Sequence, residues 1–391
     1  MDRRQQARAD NSAYSITDST KNLASTKPEQ ILSRMLSTKS YIPTTSSLAE
    51  NYNTAQDNVS LEIGKGQCGT VYALQGTLEV AKIPNSADKV TQLLTEYKMH
   101  YLILKAICEV ETTIKKDIHI PELRSWINPN SKAFWNNNSL RYSQNVDAQN
   151  FALVSNRIFP IPLPIREALV DALLPPAISK RKQEFLAKPE NKNCLIRIYL
   201  GRRETNKNRT NLQNIRLQNF PLHVNEMEHL QLDTSYFAQV MAQTLAILHW
   251  KAGVDGNDIE FILGSSPSET EVSQLPTPRE IQEDNEWSLG ERFAQHDFGR
   301  QSISIWLIDF NQCSTFEDNS TGLKRIVDAF FWNDPYYPQP NSTTDKDQKL
   351  WAVFSERYLN ISRLFTTSAT PGRFISTVEE RSRKGVVSGL F

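Results

Sequence analysis

The chain has 391 residues, and its 44 lysine and arginine residues are balanced by 44 aspartate and glutamate residues, so no overall field attracts nucleic acid or an acidic membrane surface. No apolar run approaches the roughly 18 residues that cross a bilayer, and the first residues lack the apolar core of a secretion signal. The four cysteines include no C-x-x-C pair, which argues against a disulfide framework, and we expect an intracellular protein, cytoplasmic or nuclear, without a membrane partner.

Residues 1–57 are rich in serine, threonine, asparagine and glutamine, and are predicted to form a disordered N-terminal arm. One stretch within this arm, EQILSRMLS (29–37), is amphipathic. We expect it to form a short helix that docks against another part of the chain.

Residues 58–158 are predicted to form a small first lobe. Three runs of strand-favouring residues, VSLEIG, GTVYALQ and LEVAKI, are separated by turns that contain glycine and predict an antiparallel meander. A long amphipathic helix is expected at 86–110, where apolar residues are spaced three and four apart. Two further strands are expected at 118–127 and 150–158.

Residues 159–365 are predicted to form a second, mostly helical lobe, and residues 366–391 a C-terminal tail. Insertions are expected at 160–230 and 265–300, which are long segments between the motifs described below. Regular elements are predicted in the second lobe at 165–174 (helix), 194–201 (strand), 235–250 (helix), 259–264 (strand) and 303–310 (strand).

Three glycines, Gly64, Gly66 and Gly69, form the pattern G-x-G-x-x-G in IGKGQCGTVYAL (63–74). In a dinucleotide-binding fold the third glycine opens a helix, but here β-branched and aromatic residues and then a turn follow it, which predicts a hairpin. The alternative is the glycine-rich loop of protein kinases, which lies between two strands and covers the phosphates of a nucleotide. Val71 then occupies the valine position, where its side chain would cap the adenine.

Lys82 ends the third predicted strand in the sequence VAK, which matches the lysine of the kinase V-A-I-K strand. A cation is needed there to hold and partly neutralise the α- and β-phosphates. Glu96 stands 14 residues later in the predicted helix, and we expect its carboxylate to fix the flexible lysine side chain.

The strand that ends in IDFN resembles the kinase strand that ends in D-F-G. Asp309 is therefore predicted to bind Mg²⁺, which favours carboxylate oxygens together with nucleotide phosphates. Phe310 is expected to pack beneath the helix that bears Glu96. Asn311 replaces the glycine of the kinase pattern.

The catalytic loop is expected between the helix 235–250 and the strand that follows it. In the preferred register Asp255 takes the catalytic-base position, and Glu260 takes the position of the metal-binding asparagine. In the other register Asp258 is the base. Glu260 could bind Mg²⁺, but its charge would repel phosphate unless another group neutralised it.

These motifs together predict an α+β, bilobal, protein-kinase-like fold with a small antiparallel-sheet N-lobe and a mostly helical C-lobe. The spacings are much wider than in protein kinases: Lys82 and Asp255 are 255 − 82 = 173 positions apart, and Asp255 and Asp309 are 309 − 255 = 54 apart. No A-P-E sequence follows Asp309. A peptide-binding platform like that of protein kinases is therefore not assumed.

Several segments resemble a fungal family of unknown function whose members are often labelled "zinc finger protein". The resemblance covers roughly residues 30–365, and it implies a kinase-like fold without implying an activity or a substrate. His223 and His229 lie near each other without a C-x-x-C pair, so no structural zinc site is expected. The segments that carry the resemblance are IGKGQCGTVYAL, EYKMH, FPLHVNEMEHL, LHWKAGVDGNDIEFILGS, IWLIDFNQC and FFWNDPYYPQP.

Three functions follow as hypotheses. The first is an ATP- and Mg²⁺-dependent phosphotransferase that acts on a hydroxyl of an unknown protein or small molecule. The second is a pseudokinase, in which the same fold serves as a binding or regulatory module. The third is a transcription-associated interaction protein without a nucleotide site, for which the balanced charge gives no support.

Overall fold

The computed structural model describes a mixed α+β structure. The described residues are 26–38, 41–43, 61–74, 76–111, 114, 117–138, 151–204, 212–269, 296–342 and 344–384. Within these ranges the chain forms two five-stranded sheets and a set of helices.

The strands are β1 (Tyr41–Pro43), β2 (Leu61–Lys65), β3 (Gly69–Ala73), β4 (Glu79–Pro84), β5 (Leu123–Ile127), β6 (Ala152–Asn156), β7 (Ile196–Tyr199), β8 (Phe220–His223), β9 (Glu260–Glu269) and β10 (His296–Ile308). The α-helices are α1 (Pro28–Met35), α2 (Val90–Cys108), α3 (Lys132–Asn138), α4 (Leu163–Leu173), α5 (Pro176–Ser179), α6 (Lys182–Ala187), α7 (Pro189–Lys192), α8 (Val224–His229), α9 (Thr234–Ile247), α10 (Ser320–Trp332), α11 (Asp345–Ser362) and α12 (Thr370–Arg383). A π-helical turn, Leu248–Ala252, continues α9.

The first sheet has the order β2-β3-β4-β6-β5, and all of its neighbouring strands are antiparallel. The first three strands form the predicted meander, because glycine-containing turns separate runs of β-branched and aromatic residues. Its buried apolar side chains include Tyr72, Ile83 and Val154, which pack with Trp135 of α3. The sheet therefore gives β4 a fixed register for the side chains of the site.

Helix α2 connects the first sheet to the rest of the core. Leu93, near its beginning, packs with Cys68 and Leu153 of the sheet. Ile103 and Ile107, near its end, belong to the largest hydrophobic cluster, which the helices of the second half dominate. The helix is therefore held at both ends, which fixes the positions of the polar side chains between them.

The second sheet has the order β1-β10-β9-β7-β8 and is antiparallel except for the parallel pair β7 and β8. Strands β9 and β10 form its centre, and Glu260 pairs in register with Ile308. Asp309 therefore follows the end of β10 beside the start of β9.

The predicted disordered arm at 1–57 contains regular structure in its described part, so the prediction is wrong there. The amphipathic segment forms α1, as expected, and Leu32 and Leu36 are fully buried where α1 packs against α4. Strand β1 pairs with β10. The polar composition of the arm left β1 unpredicted.

The predicted C-terminal tail is also partly folded. Helix α12 buries Phe374, Ile375 and Val378 against the core, so these apolar residues stabilise a segment whose polar composition suggested a tail. The predicted insertion at 160–230 supplies α4 to α7 and β7 to the main structure. The insertion at 265–300 extends β9 and β10 at its two ends, and residues 270–295 lie outside the described ranges.

Among the described residues, no helix is long and apolar enough to cross a membrane.

Candidate functional site

The hairpin between β2 and β3 carries the glycine pattern. The Gly66 amide donates to the Gly69 carbonyl over 2.9 Å, which closes the turn. The side-chain amide of Asn85, just after β4, donates to the carbonyls of Gly66 (2.8 Å) and Gln67 (3.2 Å). Asn85 therefore braces the turn from the neighbouring strand, a role that the sequence did not reveal.

The three glycine positions differ in whether internal packing leaves room for a side chain. A Cβ at Gly69 would lie 2.6 Å from the backbone oxygen of Ile83, so the close approach of β3 to β4 requires glycine. A Cβ at Gly64 or Gly66 would meet its nearest neighbour at 3.9 or 3.7 Å, which is ordinary contact. Packing within the chain therefore requires glycine at Gly69 and does not require it at the other two positions.

Lys82 lies at the centre of a three-residue charge cluster. Val71 of β3 pairs with Lys82 of β4 in register. The Lys82 Nζ atom lies 2.9 Å from Glu96 Oε1, 2.7 Å from Glu96 Oε2 and 3.8 Å from Asp309 Oδ1. The fold thus brings together three residues that are separated by up to 309 − 82 = 227 sequence positions.

Burial and charge oppose each other at Lys82. Burial lowers the pKa of its ammonium group, but the Glu96 and Asp309 carboxylates outweigh that effect and hold the pKa above its ordinary value. The lysine is therefore a fixed cation at neutral pH. Glu96 is itself only 6% exposed, so the pair is well shielded from water.

Phe310 couples the end of β10 to α2. Its ring is 1% exposed and lies 4.7 Å, centroid to centroid, from the ring of His100. His100 is one helical turn after Glu96 on α2, and its Nε2 atom lies 2.7 Å from the Pro121 carbonyl oxygen. Phe310 therefore packs against the helix that bears Glu96, as the sequence predicted.

The segment after β10 offers oxygen atoms that the protein does not satisfy. Asp309 Oδ1 and Asn311 Oδ1 are buried, and neither accepts a hydrogen bond among the described residues. Buried acceptors normally have partners, so these two oxygens are available to a ligand, although Asp309 Oδ1 also lies 3.8 Å from Lys82 Nζ. Carboxylate and amide oxygens are the donors that Mg²⁺ prefers, so the residues present fit that ion.

Asp255 points into the protein. Its carboxylate is 4% exposed, and its Oδ1 atom accepts from the amides of Asn257 (3.1 Å) and Ser314 (2.9 Å). The other oxygen lies 3.8 Å from Arg325 Nη1. Burial raises the pKa of the Asp255 carboxyl, and the two amides oppose that rise. The carboxylate is thus engaged in holding the loop to the segment after β10.

Asp258 is held differently. Its backbone has a φ of 62°, in the left-handed region that non-glycine residues rarely adopt. Its amide donates to Asn333 Oδ1 over 2.7 Å, and Trp332 Nε1 donates to Asp258 Oδ1 over 3.2 Å. Burial and the nearby Asp309 carboxylate both raise the pKa of the Asp258 carboxyl. Its charge therefore interacts with that of the predicted metal ligand.

Glu260 has a partner that the sequence did not predict. Its Oε1 atom lies 2.5 Å from Arg197 Nη2, and the glutamate side chain is 17% exposed. Burial raises the pKa of the Glu260 carboxyl to about 7, Arg197 opposes the rise and Asp309 adds to it. The Arg197 guanidinium thus neutralises the negative charge of Glu260, which would otherwise repel phosphate.

The structure brings together Lys82, Glu96 and Asp309 directly, and it links Asp258 and Glu260 to Asp309 by charge. It leaves Asp255 with partners of its own. Sequence analysis missed four contributors: Asn85, Arg197, Trp332 and Asn333. Trp332 and Asn333 lie in FFWNDPYYPQP (330–340), one of the segments that carry the family resemblance. The only sequence feature that could have indicated Arg197 is the position of a charged residue between two isoleucines in a predicted strand.

His249, at the end of α9, packs in the interior. It is 2% exposed, and its two ring nitrogens lie 2.8 Å from the Tyr358 hydroxyl and 3.3 Å from the Asp255 carbonyl. Burial lowers the pKa of its imidazole to about 3. Its position agrees with a packing role at the helix end.

Zinc in proteins is bound by histidine, cysteine and acidic side chains. Within the described ranges, no three or more histidine, cysteine, aspartate or glutamate side chains gather as a metal site. His223 lies 3.0 Å from Glu226 at the start of α8, and His229 is exposed at its end.

One family model, DUF3669, described as "Zinc finger protein", matches residues 305–369 of the chain. The matched segment begins within β10 and contains Asp309, Trp332 and Asn333. The description agrees with the label carried by the family that the sequence resembles. No curated protein matches the chain.

Proposed function

We propose that this chain is a kinase-like protein that binds a nucleoside triphosphate with Mg²⁺ and transfers its γ-phosphoryl group to a hydroxyl. The observation that carries the proposal is the position of the Lys82 ammonium between Glu96 and Asp309, at 2.7 and 3.8 Å. A buried lysine held by a helix carboxylate is a preorganised cation for phosphate oxygens.

The glycine hairpin supports the same function. A Cβ at Gly64 or Gly66 would make only ordinary contacts, so internal packing does not require these glycines, and the approach of a ligand would account for them. Backbone amides of such a turn donate to phosphate oxygens when side chains are absent. Val71 lies in register with Lys82, which suits a contact with the base of the nucleotide.

Asp309 and Asn311 would hold Mg²⁺, because their buried Oδ1 atoms accept no hydrogen bond among the described residues. The ion, when bound, would neutralise part of the phosphate charge. The φ of 66° at Asp309 turns the backbone sharply after β10. We interpret this strained conformation as part of the site, since such outliers persist where the surroundings enforce them.

Asp258, rather than Asp255, is the aspartate that suits the base. Burial raises the pKa of both carboxyls, so their hydrogen bonds distinguish them. The Asp255 carboxylate already accepts two backbone amides, whereas Asp258 Oδ1 accepts the Trp332 indole N–H and the Asp258 amide donates to Asn333. In the transfer, the acceptor oxygen bonds to the γ-phosphorus as the bond to the β–γ bridging oxygen breaks. The nucleoside diphosphate leaves with that electron pair, and the hydroxyl proton passes to Asp258.

The experiment measures the stability of the purified chain with and without ATP and Mg²⁺. A ligand at a hundredfold excess over its Kd raises the free energy of unfolding by about 2.7 kcal/mol. We expect that rise for the wild type and its loss in Lys82→Ala. The matched control is Lys98→Ala, an exposed lysine on α2, which should retain the rise.

Transfer is tested with γ-labelled ATP and extract as the source of acceptors. Asp258→Asn should bind ATP and fail to transfer label. Absence of an ATP effect on wild-type stability, or an equal effect in Lys82→Ala, would contradict the proposal.

A second candidate function is nucleotide binding without transfer, as in a pseudokinase. The Arg197–Glu260 ion pair favours it, since in the register that makes Asp255 the base the metal-ligand position of kinases is occupied by a neutralised glutamate. Stabilisation by ATP together with equal, background label transfer by the wild type and Asp258→Asn would select this alternative.

A further inference from the structure

Arg197 reaches the site from a strand that lies outside the sequence motifs. It belongs to β7, which pairs with β9 so that Arg197 faces Ile262 in register. Glu260 lies two residues from Ile262 and therefore on the same face of β9. The diagonal position brings the guanidinium onto the Glu260 carboxylate, with Nη2 and Oε1 at 2.5 Å.

The ion pair is shielded, and the Tyr199 side chain also forms a hydrogen bond with Arg197. The side chains of Arg197 and Glu260 are 28% and 17% exposed. Arg197 is held as a cation because Glu260 outweighs the effect of burial and keeps the arginine pKa above its ordinary value. The carboxylate is thus compensated before any ligand arrives.

Two hydrogen-bond donors beside this pair lack acceptors. The Nε atom of Arg197 and the hydroxyl of Tyr336 are buried without a partner among the described residues. Tyr336 is 7% exposed, and Glu260 and Arg197 both act on its hydroxyl electrostatically. Unsatisfied buried donors next to a compensated carboxylate favour an anionic ligand over a second cation.

We infer that Arg197 takes the place of a second divalent cation, so that the site binds its nucleotide with one divalent ion, on the Asp309 side. The inference rests on the proposed function. A fixed guanidinium supplies positive charge without the cost of stripping water from an ion. It also blocks the oxygen with which Glu260 would otherwise coordinate metal.

Electron paramagnetic resonance of Mn²⁺ tests the stoichiometry, with a non-hydrolysable ATP analogue as the probe. We expect one tightly bound Mn²⁺ per bound nucleotide in the wild type. Arg197→Met should bind a second Mn²⁺ at least about tenfold more tightly than the wild type does. The double variant Arg197→Met/Glu260→Gln should return to one ion, because the released carboxylate is then neutral.

The matched control is Arg181→Met. Arg181 is exposed, lies on the same inserted segment and pairs with Glu184, so this variant should still bind one Mn²⁺ per nucleotide. Two Mn²⁺ ions per nucleotide in the wild type would overturn the inference while leaving the nucleotide site intact. One ion in a folded Arg197→Met would also overturn it. Failure of the folded wild type to bind the analogue would instead refute the proposed function on which the inference rests. The number of Mn²⁺ ions that the wild type binds per nucleotide is decisive even if Arg197→Met fails to fold.

Discussion

Asn333 accepts a hydrogen bond from the Asp258 amide over 2.7 Å, and its side-chain nitrogen donates to the Gly256 carbonyl over 2.7 Å. One buried amide at the end of α10 thus fixes both sides of the turn that carries Asp258. The unusual backbone of Asp258, with its positive φ, is maintained from a distant part of the chain.

Replacing Asn333 by alanine should lower the free energy of unfolding by about 1–3 kcal/mol, because two buried backbone groups lose their partner. Denaturant unfolding measures this change. Asn360→Ala is the control, since Asn360 is exposed and pairs only with Arg363, and it should change stability by less than about 0.5 kcal/mol. Equal stability of the two variants would show that Asn333 does not hold the turn.

Alanine substitutions at Gly69 and Gly66 should affect stability differently. Gly69→Ala places a Cβ against the Ile83 backbone oxygen, so β3 and β4 must separate and stability should fall by about 1–3 kcal/mol. Gly66→Ala meets only ordinary contacts, so its stability should remain within about 0.5 kcal/mol of the wild type. The stabilisation by ATP should nevertheless weaken in Gly66→Ala, and thermal melts with and without ATP measure both effects. Unchanged ATP stabilisation there would remove the hairpin from the proposed site.

The Lys82–Glu96 pair predicts strong coupling. Lys82→Met leaves Glu96 buried and uncompensated beside Asp309, which should cost about 3–5 kcal/mol. Adding Glu96→Gln should recover part of this loss, because the stranded charge is removed. A double-mutant cycle by chemical denaturation should give a coupling energy of about 1–3 kcal/mol. Simple additivity would mean that the two groups do not interact in solution.

Replacing Asp255 by asparagine should lower stability, whereas replacing Asp258 by asparagine should abolish phosphoryl transfer. Asp255→Asn weakens the acceptor of two amides and should lower stability by about 1–2 kcal/mol. Asp258→Asn should leave stability and ATP binding nearly unchanged and abolish phosphoryl transfer. Parallel measurements of unfolding and label transfer distinguish them. Retained transfer in Asp258→Asn with loss in a stable Asp255→Asn would restore the register that the sequence first favoured.

His100 predicts a pH dependence of stability. Burial lowers the pKa of its imidazole to about 4, against about 6.5 in an unfolded chain. Between these values the unfolded chain binds more protons than the folded one, so stability falls as the pH falls from about 6.5 to about 4.

His100→Gln should therefore lose less stability than the wild type on going from pH 6 to pH 5, by about 1 kcal/mol. Denaturation curves at pH 5, 6 and 8 measure the difference, and the pH 8 curve isolates the packing change alone. Identical slopes for the two proteins between pH 6 and pH 5 would contradict the prediction.

Local patterns in the sequence were sufficient for the elements nearest to the motifs. Glycine spacing and β-branched residues predicted the hairpin, and the spacing of apolar residues predicted α2 and α9, because these signals act over a few neighbouring residues. The same reasoning paired Lys82 with Glu96 from their places on a strand and a helix. It missed α12, in which few apolar residues carry the docking, and it did not predict β1.

The amino-acid sequence by itself determined the α+β class, the hairpin, and which residue types were available for phosphate and metal. Only the tertiary structure decided which groups donate to Asp255 and Asp258, and what neutralises Glu260. Arg197, Trp332 and Asn333 lie 63 to 77 positions from the residues that they contact in the loop and at the start of β9. Such contacts depend on strand register and on the direction in which a helix ends. Neither can be predicted from the residues that are neighbours in the sequence.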